Sequence, residues 1–226
     1  MMLPKAVLAL VLVIHSFPAT ASPSPKSESR AENPIEISIE IDLRNNKLKV
    51  LDPEHNLLKT YPIALGKIGT PTPTGDYVVI NKYKNWGSGF GTRWIGLNVP
   101  WGTYGIHGTN RPHSIGHDAS HGCIRMLNAH VEGLYEWVKI GTKVSIPGHV
   151  LGELHQPPRR LAKGYSGGEV LLLQNRLRAA GYYAGPCNGR FSSSTELAMK
   201  TYEKEHDLPI DGVLSEHDYV ALGLVE

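Results

Sequence analysis

A strictly alternating stretch near the N-terminus places the strongest constraint on how this chain folds. From Ile35 to Leu43, isoleucine or leucine occupies every odd position and a polar residue occupies every even position. A period of two is typical of a β-strand that buries one face. The Asn45-Asn46 pair that follows predicts a tight turn into segment 47–51, so we expect a β-hairpin here.

The predicted β-structure continues toward the middle of the chain. Gly, Pro and Asn punctuate four further strand-like segments, which are 59–65, 76–81, 94–99 and 143–146. One helix is predicted among them, from an apolar pattern at helical spacing between Val131 and Val138, with Asn128 as its N-cap. The sequence therefore predicts a mainly β, mostly antiparallel domain over residues 34–147.

The C-terminal third of the chain has a different, helical character. A linker with two adjacent prolines is predicted at 148–161, and three amphipathic helices are predicted after it. The third helix begins at a capping box formed by Ser215 and Asp218. The turns before the second and third helices, NGRFS and DGVLS, echo each other as a turn, an apolar residue and a helix cap. Residues 162–226 are thus predicted to form a small three-helix domain.

The N-terminus is predicted to direct export. A lysine, a short apolar run at 6–14 and the Ala19-Thr20-Ala21 pattern are typical of a cleaved signal peptide, placed at 1–21. The apolar run is far shorter than the roughly 20 residues that span a bilayer, so no stable membrane span is expected after cleavage. Residues 22–33 are polar and proline-rich, which predicts a disordered spacer. The net charge of +2 does not indicate a nucleic-acid partner.

The stretch SHGCIR, residues 120–125, contains one of only two cysteines. A cysteine attacks as its thiolate and needs a nearby base, which His107, 16 positions earlier, is able to supply. Gly122 allows a sharp backbone turn, so that the amides of Gly122 and Cys123 would face a developing oxyanion. Arg125 would share a side with Cys123 in an extended chain and would bind a substrate carboxylate. The pattern is that of a nucleophile site.

Three other roles for Cys123 stay open at this point. It is a buried small hydrophobe in many proteins, although polar and charged neighbours argue against that here. A disulfide with Cys187 would be compatible with export, but the two residues fall in different predicted domains. A zinc site would draw on the nearby histidines at 107, 113, 117 and 121, yet no C-x-x-C or H-E-x-x-H spacing is present. We therefore expect no metal.

The ordered motif I-H-G-T-N-x-P-x-S-I-G-x-x-x-S-H-G-C-I-R-M, residues 106–126, resembles the active-site signature of the L,D-transpeptidase catalytic domain. Upstream, Gly66-Lys67 and the run T-P-T-P-T-G at 70–75 resemble the opening part of the same family. This resemblance implies a β-sandwich-like catalytic domain with the cysteine in a channel and no cofactor. Five aromatic residues are candidates either to line that channel or simply to pack, namely Trp86, Phe90, Trp94, Trp101 and Tyr104.

The resemblance also implies roles for individual residues. Cys123 would be the nucleophile and His107 its base, with one ring nitrogen held by the carbonyl of Gly108. The oxyanion hole would be shaped by Ser120, His121 and Gly122, of which His121 is at a variable position in the family. Arg125 would hold the loop or a substrate carboxylate, and further substrate contacts are assigned to Thr109 and Asn110.

The C-terminal domain resembles the peptidoglycan-binding domain of wall enzymes. The motifs that carry this resemblance are Gly168-x-Val170, Leu173-Gln174-x-x-Leu177, Asn188-Gly189-x-Phe191 and Asp211-Gly212-Val213. It departs from the family at Ser192 and Ser215, where glycine is common. The two resemblances together imply partners in the cell wall, namely peptidoglycan stem peptides and glycan, and a monomer acting in the periplasm or wall space.

The activity implied is acyl transfer that forms 3→3 cross-links from tetrapeptide stems with release of D-alanine. An L,D-carboxypeptidase, in which water attacks the acyl-enzyme, is the nearest alternative. A non-catalytic wall-binding protein is the alternative from another class, and reaction of Cys123 with a carbapenem would discriminate against it.

Overall fold

A computed structural model describes residues 36–151 and 158–225. The predicted signal peptide at 1–21 and spacer at 22–33 lie outside the described residues, as do positions 152–157 of the predicted linker. Within the described ranges, no helix combines the length and apolar character needed to cross a membrane.

The first domain is mainly β, as predicted. It has ten strands, which are Ser38–Asp42 (β1), Lys47–Leu51 (β2), Leu57–Pro62 (β3), Leu65–Gly66 (β4), Gly75–Lys84 (β5), Arg93–Leu97 (β6), Tyr104–His107 (β7), Asp118–Ser120 (β8), Ile124–Arg125 (β9) and Lys143–Ile146 (β10). Eight of these form one sheet in the order β3-β2-β1-β10-β5-β6-β7-β9, and β4 pairs with β8. Most neighbours are antiparallel, while β1–β10, β7–β9 and β4–β8 are parallel.

The alternating stretch forms the predicted hairpin of β1 and β2. Its isoleucines at 37, 39 and 41 are at most 8% exposed and pack with Leu48 and Val50 of β2 in the main hydrophobic cluster. Complete burial of one aliphatic side chain contributes roughly 1.5–3 kcal/mol to stability. This face therefore fixes the register, because a slip by one residue would expose all the isoleucines.

The strand predicted over 59–65 is wrong in its extent, because β3 ends at Pro62 and β4 starts at Leu65. Proline has no N–H to donate to a ladder, so it is suited to a strand end. Beyond it, the N–H of Ile63 donates to the carbonyl of Asn46, in the hairpin turn, at 3.0 Å.

One α-helix, α1, spans Asn128–Trp137 in this domain, and a short 3-10 helix spans Pro112–Ser114. Asn128 is therefore the first helical residue and not the predicted N-cap, a position that Leu127 occupies. At the other end, the Lys82 ammonium donates hydrogen bonds to the carbonyls of Tyr135 and Val138. A cation there satisfies helix carbonyls that lack an intrahelical partner.

Three helices form the predicted C-terminal domain, namely α2 (Gly168–Ala179), α3 (Ser193–Glu205) and α4 (Glu216–Ala221). They enclose a second hydrophobic cluster, and the Ser215–Asp218 capping box is present. On α3, Ala198, Met199 and Tyr202 are buried in this cluster, while Leu197 is 67% exposed.

The two echoed turns are held in the same way. The side-chain oxygen of Gln174, on α2, accepts the N–H groups of Asn188 and Gly189 at 3.0 and 2.9 Å. The carboxylate of Glu203, on α3, accepts the N–H of Gly212 at 2.9 Å. Both glycines have a positive φ, +68° and +71°. The two similar sequences thus form the same interaction, in which a buried side chain on a helix accepts backbone N–H groups of the turn that precedes the next helix.

The two domains meet at Trp101. The indole of this residue is 7% exposed and packs so closely on Gly189 that a Cβ there would lie 2.6 Å from the ring. Leu171 of α2 also packs against the hydrophobic cluster of the first domain. Trp101 is therefore an interdomain contact and not a wall of the predicted channel.

Candidate active site

Two neighbouring parallel strands bring the predicted site residues together. Strand β7 ends at His107, β9 begins directly after Cys123, and the register pairs His107 with Arg125. Side chains two residues apart on a strand share a face, so Cys123 and Arg125 lie on the side where His107 projects. All three line one cavity of about 580 Å³, together with Ser120 and His121.

His107 is held in one orientation. Its side chain is buried, with the residue only 3% exposed, and Nδ1 lies 2.5 Å from the carbonyl oxygen of Gly108. A carbonyl oxygen only accepts hydrogen bonds, so Nδ1 must carry the proton and donate it. The neutral ring therefore leaves Nε2 as an acceptor, which is the tautomer a general base needs.

An aromatic wall surrounds His107. The ring of Trp94 stacks on the imidazole at 5.8 Å between centroids, and Phe90 meets it edge-on at 5.0 Å. Trp86 continues the wall outward, 4.2 Å from Trp94, and is 41% exposed. Of the five aromatic candidates, these three line the cavity. Tyr104 does not line it and packs on Gly122 instead.

Burial shifts the pKa values of the cysteine and the histidine in opposite directions. Desolvation, together with the nearby Arg125 charge, lowers the pKa of His107 to about 4, although backbone hydrogen bonds to Gly108 and Phe90 oppose this shift. Desolvation raises the pKa of the Cys123 thiol, although the Gly105 backbone and Arg125 oppose this rise. Removal from water disfavours the charged form of each group. At neutral pH the pair is therefore a thiol beside a neutral imidazole.

The turn before Cys123 requires a glycine. Gly122 has φ +107°, and a Cβ at this position would lie 2.7 Å from the Tyr104 ring. Its N–H, however, donates to the Ser120 hydroxyl at 3.0 Å, and that hydroxyl donates to the Cys123 carbonyl at 2.6 Å. The Gly122 amide is thus already engaged, contrary to the expectation that it faces the oxyanion. The Cys123 amide is left as the candidate donor.

The other predicted residues fall in different places. Arg125 lines the cavity, and no carboxylate within residues 36–151 or 158–225 lies at ion-pair distance from it. His121 is exposed at the cavity rim. Thr109 and Asn110 do not line the cavity. The Thr109 hydroxyl accepts the N–H of Arg111 at 2.9 Å, and Asn110 is exposed.

Sequence reasoning missed two residues of the site. The carbonyl of Thr103, which also lines the cavity, lies 3.9 Å from the sulfur of Cys123. The side chain of Asn128 accepts hydrogen bonds from backbone beside His107. Thr103 acts through its backbone carbonyl, so its residue type gives no signal in the sequence. Asn128 was noted in the sequence, but it was interpreted as a helix N-cap.

The alternative roles of Cys123 can be compared with the geometry. Both cysteines are free thiols. In the described part of the chain, no three His, Cys, Asp or Glu side chains gather as a metal site would require. His107 and His121 line the same cavity as Cys123, but within the described residues they do not form a set of ligands with the geometry of a metal site.

Comparisons with known proteins give two family matches. The model described as the L,D-transpeptidase catalytic domain matches residues 36–146, and the model described as "Putative peptidoglycan binding domain" matches residues 166–217. The "Putative L,D-transpeptidase YkuD" of Bacillus licheniformis is 45% identical over 117 residues, which are 52% of this chain and 69% of that protein. The "Putative L,D-transpeptidase YqjB" of Bacillus subtilis is 37% identical, over 51% of this chain and 74% of that protein.

Solved structures match the same half of the chain. An L,D-transpeptidase from Mycobacterium smegmatis aligns with a TM-score of 0.45 at 20% identity, covering 50% of this chain and 59% of that one. The catalytic domain of the Enterococcus faecium L,D-transpeptidase aligns with a TM-score of 0.43 at 26% identity, covering 49% of this chain and 96% of that one.

Proposed function

Because the chain belongs to the L,D-transpeptidase catalytic-domain family, we propose that it is a cysteine acyltransferase that forms 3→3 cross-links between peptidoglycan stem peptides. The observation that carries this proposal is the pairing of Cys123 with a buried His107 in one cavity. The Nδ1 of His107 is committed to Gly108, so Nε2 is available to the thiol.

The first half of the reaction forms an acyl-enzyme. The sulfur of Cys123 attacks the carbonyl carbon of the third stem residue as the thiol proton passes to Nε2 of His107. The tetrahedral oxyanion accepts a hydrogen bond from the Cys123 amide. The C–N bond then breaks, the imidazolium returns its proton to the departing nitrogen, and D-alanine leaves behind a thioester.

The second half regenerates the enzyme. An amine from a neighbouring stem attacks the thioester carbon, and its proton passes to Nε2. The C–S bond breaks as the imidazolium returns that proton to sulfur, and a new amide remains. Arg125 has no acidic partner among the described residues, which fits a guanidinium that binds a substrate carboxylate through two parallel hydrogen bonds. Thr109 and Asn110 stay predicted substrate contacts, although neither residue lines the cavity.

The C-terminal domain would retain the enzyme on its substrate. The match to a peptidoglycan-binding family supports this role, and binding to the same polymer raises the local concentration of stems around Cys123. The proposed partners, peptidoglycan stem peptides and glycan, both belong to the cell wall, so we propose that the protein is exported and acts outside the cytoplasm. We propose that it acts there as a monomer.

The test is to incubate the full chain with disaccharide-tetrapeptides and to analyse the products by mass spectrometry. Cross-linked dimers with free D-alanine are expected, and tripeptide monomers alone would establish the carboxypeptidase instead. Cys123→Ala should abolish every product, whereas Cys187→Ala, which removes the other thiol, should retain the wild-type rate.

A carbapenem provides a second, substrate-independent readout. Its strained lactam acylates an activated thiol, so the drug mass should appear on the peptide that contains Cys123. The absence of both product and adduct in the wild type would support the non-catalytic wall-binding alternative.

A further inference from the structure

We propose that Asn128 is a positioning residue that fixes the orientation and tautomer of His107 through the peptide bond between Gly108 and Thr109. The Oδ1 atom of Asn128 accepts the N–H of Thr109 at 3.1 Å. The carbonyl of that same peptide unit is the one that accepts Nδ1–H of His107. This inference rests on the proposed role of His107 as the base.

The physical link is the rigidity of one peptide unit. Its N–H and its C=O lie in a single plane and point in opposite directions. Holding the N–H of Thr109 therefore aims the carbonyl of Gly108 at the imidazole. A hydrogen bond accepted from the N–H also polarises the carbonyl, which makes it a better acceptor for Nδ1–H. Asn128 thus acts on His107 without touching it.

The backbone around Asn128 is shaped to admit its amide. A Cβ on Gly91 or on Gly108 would lie 2.2 Å from Oδ1 of Asn128, so neither position has room for a larger residue. The N–H of Thr92 also lies within hydrogen-bond distance of Oδ1, at 3.3 Å. One oxygen therefore ties the segment after Phe90, which packs on His107, to the segment after His107 itself.

The role is separate from helix formation. Asn128 is the first residue of α1, but its side chain makes no capping bond to that helix. Its oxygen is directed instead to the two loops that border the site. A residue kept only to start a helix would have no reason to bond these loops.

The test compares Asn128→Ala, which removes the acceptor, with Asn128→Asp, which keeps an oxygen in nearly the same shape. Nitrogen NMR of the histidine ring reports the tautomer of His107, and carbapenem acylation reports the reactivity of Cys123. In the wild type and in Asn128→Asp, the ring should be the single Nδ1–H tautomer at neutral pH. In Asn128→Ala it should be a mixture, with acylation about 10- to 100-fold slower.

The control is Asn98→Ala, because Oδ1 of Asn98 accepts the N–H of Val78 at 2.7 Å, on an exposed stretch outside the cavity. It should leave both the tautomer and the acylation rate unchanged. An unchanged tautomer in Asn128→Ala, or a loss that Asn128→Asp does not restore, would overturn the inference. The NMR readout needs no turnover, so it judges Asn128 even if the proposed acyl transfer fails.

If Asn128→Ala does not fold, the pH profile of Asn128→Asp decides the matter. An added carboxylate this close to the His107 peptide should raise the pKa of the imidazole and move the acid limb of acylation to higher pH. An acid limb identical to that of the wild type would contradict the positioning role.

Discussion

The burial of His107 predicts a specific dependence of stability on pH. The pKa of this imidazole falls from 6.5 to about 4 on folding, mainly because it is desolvated. Between pH 6.5 and about pH 4, this imidazole is mostly protonated in the unfolded chain and mostly neutral in the folded chain, so acid destabilises the fold. By proton linkage, the free energy of unfolding falls by about 2 kcal/mol at pH 5 and by about 3 kcal/mol at pH 4, relative to its value at pH 8.

The measurement is urea unfolding of the wild type and His107→Gln between pH 8 and pH 4. All four tryptophans lie between positions 86 and 137, so their fluorescence reports mainly on the first domain, with Trp101 also sensing its contact to Gly189. Replacing His107 should remove about 3 kcal/mol from the total pH dependence, while His113→Gln, at an exposed position, should retain the wild-type curve. Equal pH dependences for the wild type and His107→Gln would refute a buried neutral imidazole.

Three further substitutions have defined outcomes. Gly122→Ala should destabilise the domain by about 1–3 kcal/mol and slow acylation, as measured by unfolding and by adduct formation, since φ is positive and a Cβ would strike Tyr104. Arg125→Lys and Arg125→Gln should both raise KM for tetrapeptide stems, because an ammonium, unlike a guanidinium, does not form two parallel hydrogen bonds to a carboxylate. A KM of Arg125→Lys equal to that of the wild type would contradict the proposed binding of a substrate carboxylate by Arg125. Gln174→Leu should lower the melting temperature of the C-terminal domain, since the buried N–H of Gly189 would lose its acceptor at a cost of about 1–3 kcal/mol, and the part-buried N–H of Asn188 would lose the same acceptor. An unchanged melting temperature would show that water replaces the amide.

The sequence predicted those parts of the fold that depend on local pattern. The alternation of isoleucines specified β1 and its buried face, because a period of two has only one structural solution. The capping box at Ser215 likewise located the start of α4. The break after Pro62 was missed, since a strand-like composition continued beyond the residue that ends the ladder.

The active site was predictable in its residue types but not in its hydrogen bonds. Histidine, cysteine and arginine in an ordered motif indicated a nucleophile site, and the structure gathers all three around one cavity. Two hydrogen bonds were not predicted. The Ser120 hydroxyl accepts the N–H of Gly122, two positions away, and the side chain of Asn128 accepts the N–H of Thr109, 19 positions away, instead of capping its own helix. The bond between Ser120 and Gly122 is a local turn contact that many serines do not make, and the bond between Asn128 and Thr109 follows from tertiary packing, which no local pattern encodes.

The opposite pKa shifts at the site have a chemical consequence. Only the thiolate reacts readily with oxidants and disulfides, and its fraction falls as the thiol pKa rises. Burial raises the pKa of Cys123 and lowers that of His107, so both shifts favour the thiol and the neutral imidazole over the thiolate and the imidazolium in the resting site. The nucleophile is formed when a bound carbonyl accepts the sulfur and Nε2 of His107 accepts the proton in the same step. The aromatic wall contributes to the burial of His107 and so favours a neutral imidazole that is ready to accept the thiol proton when an acyl donor binds.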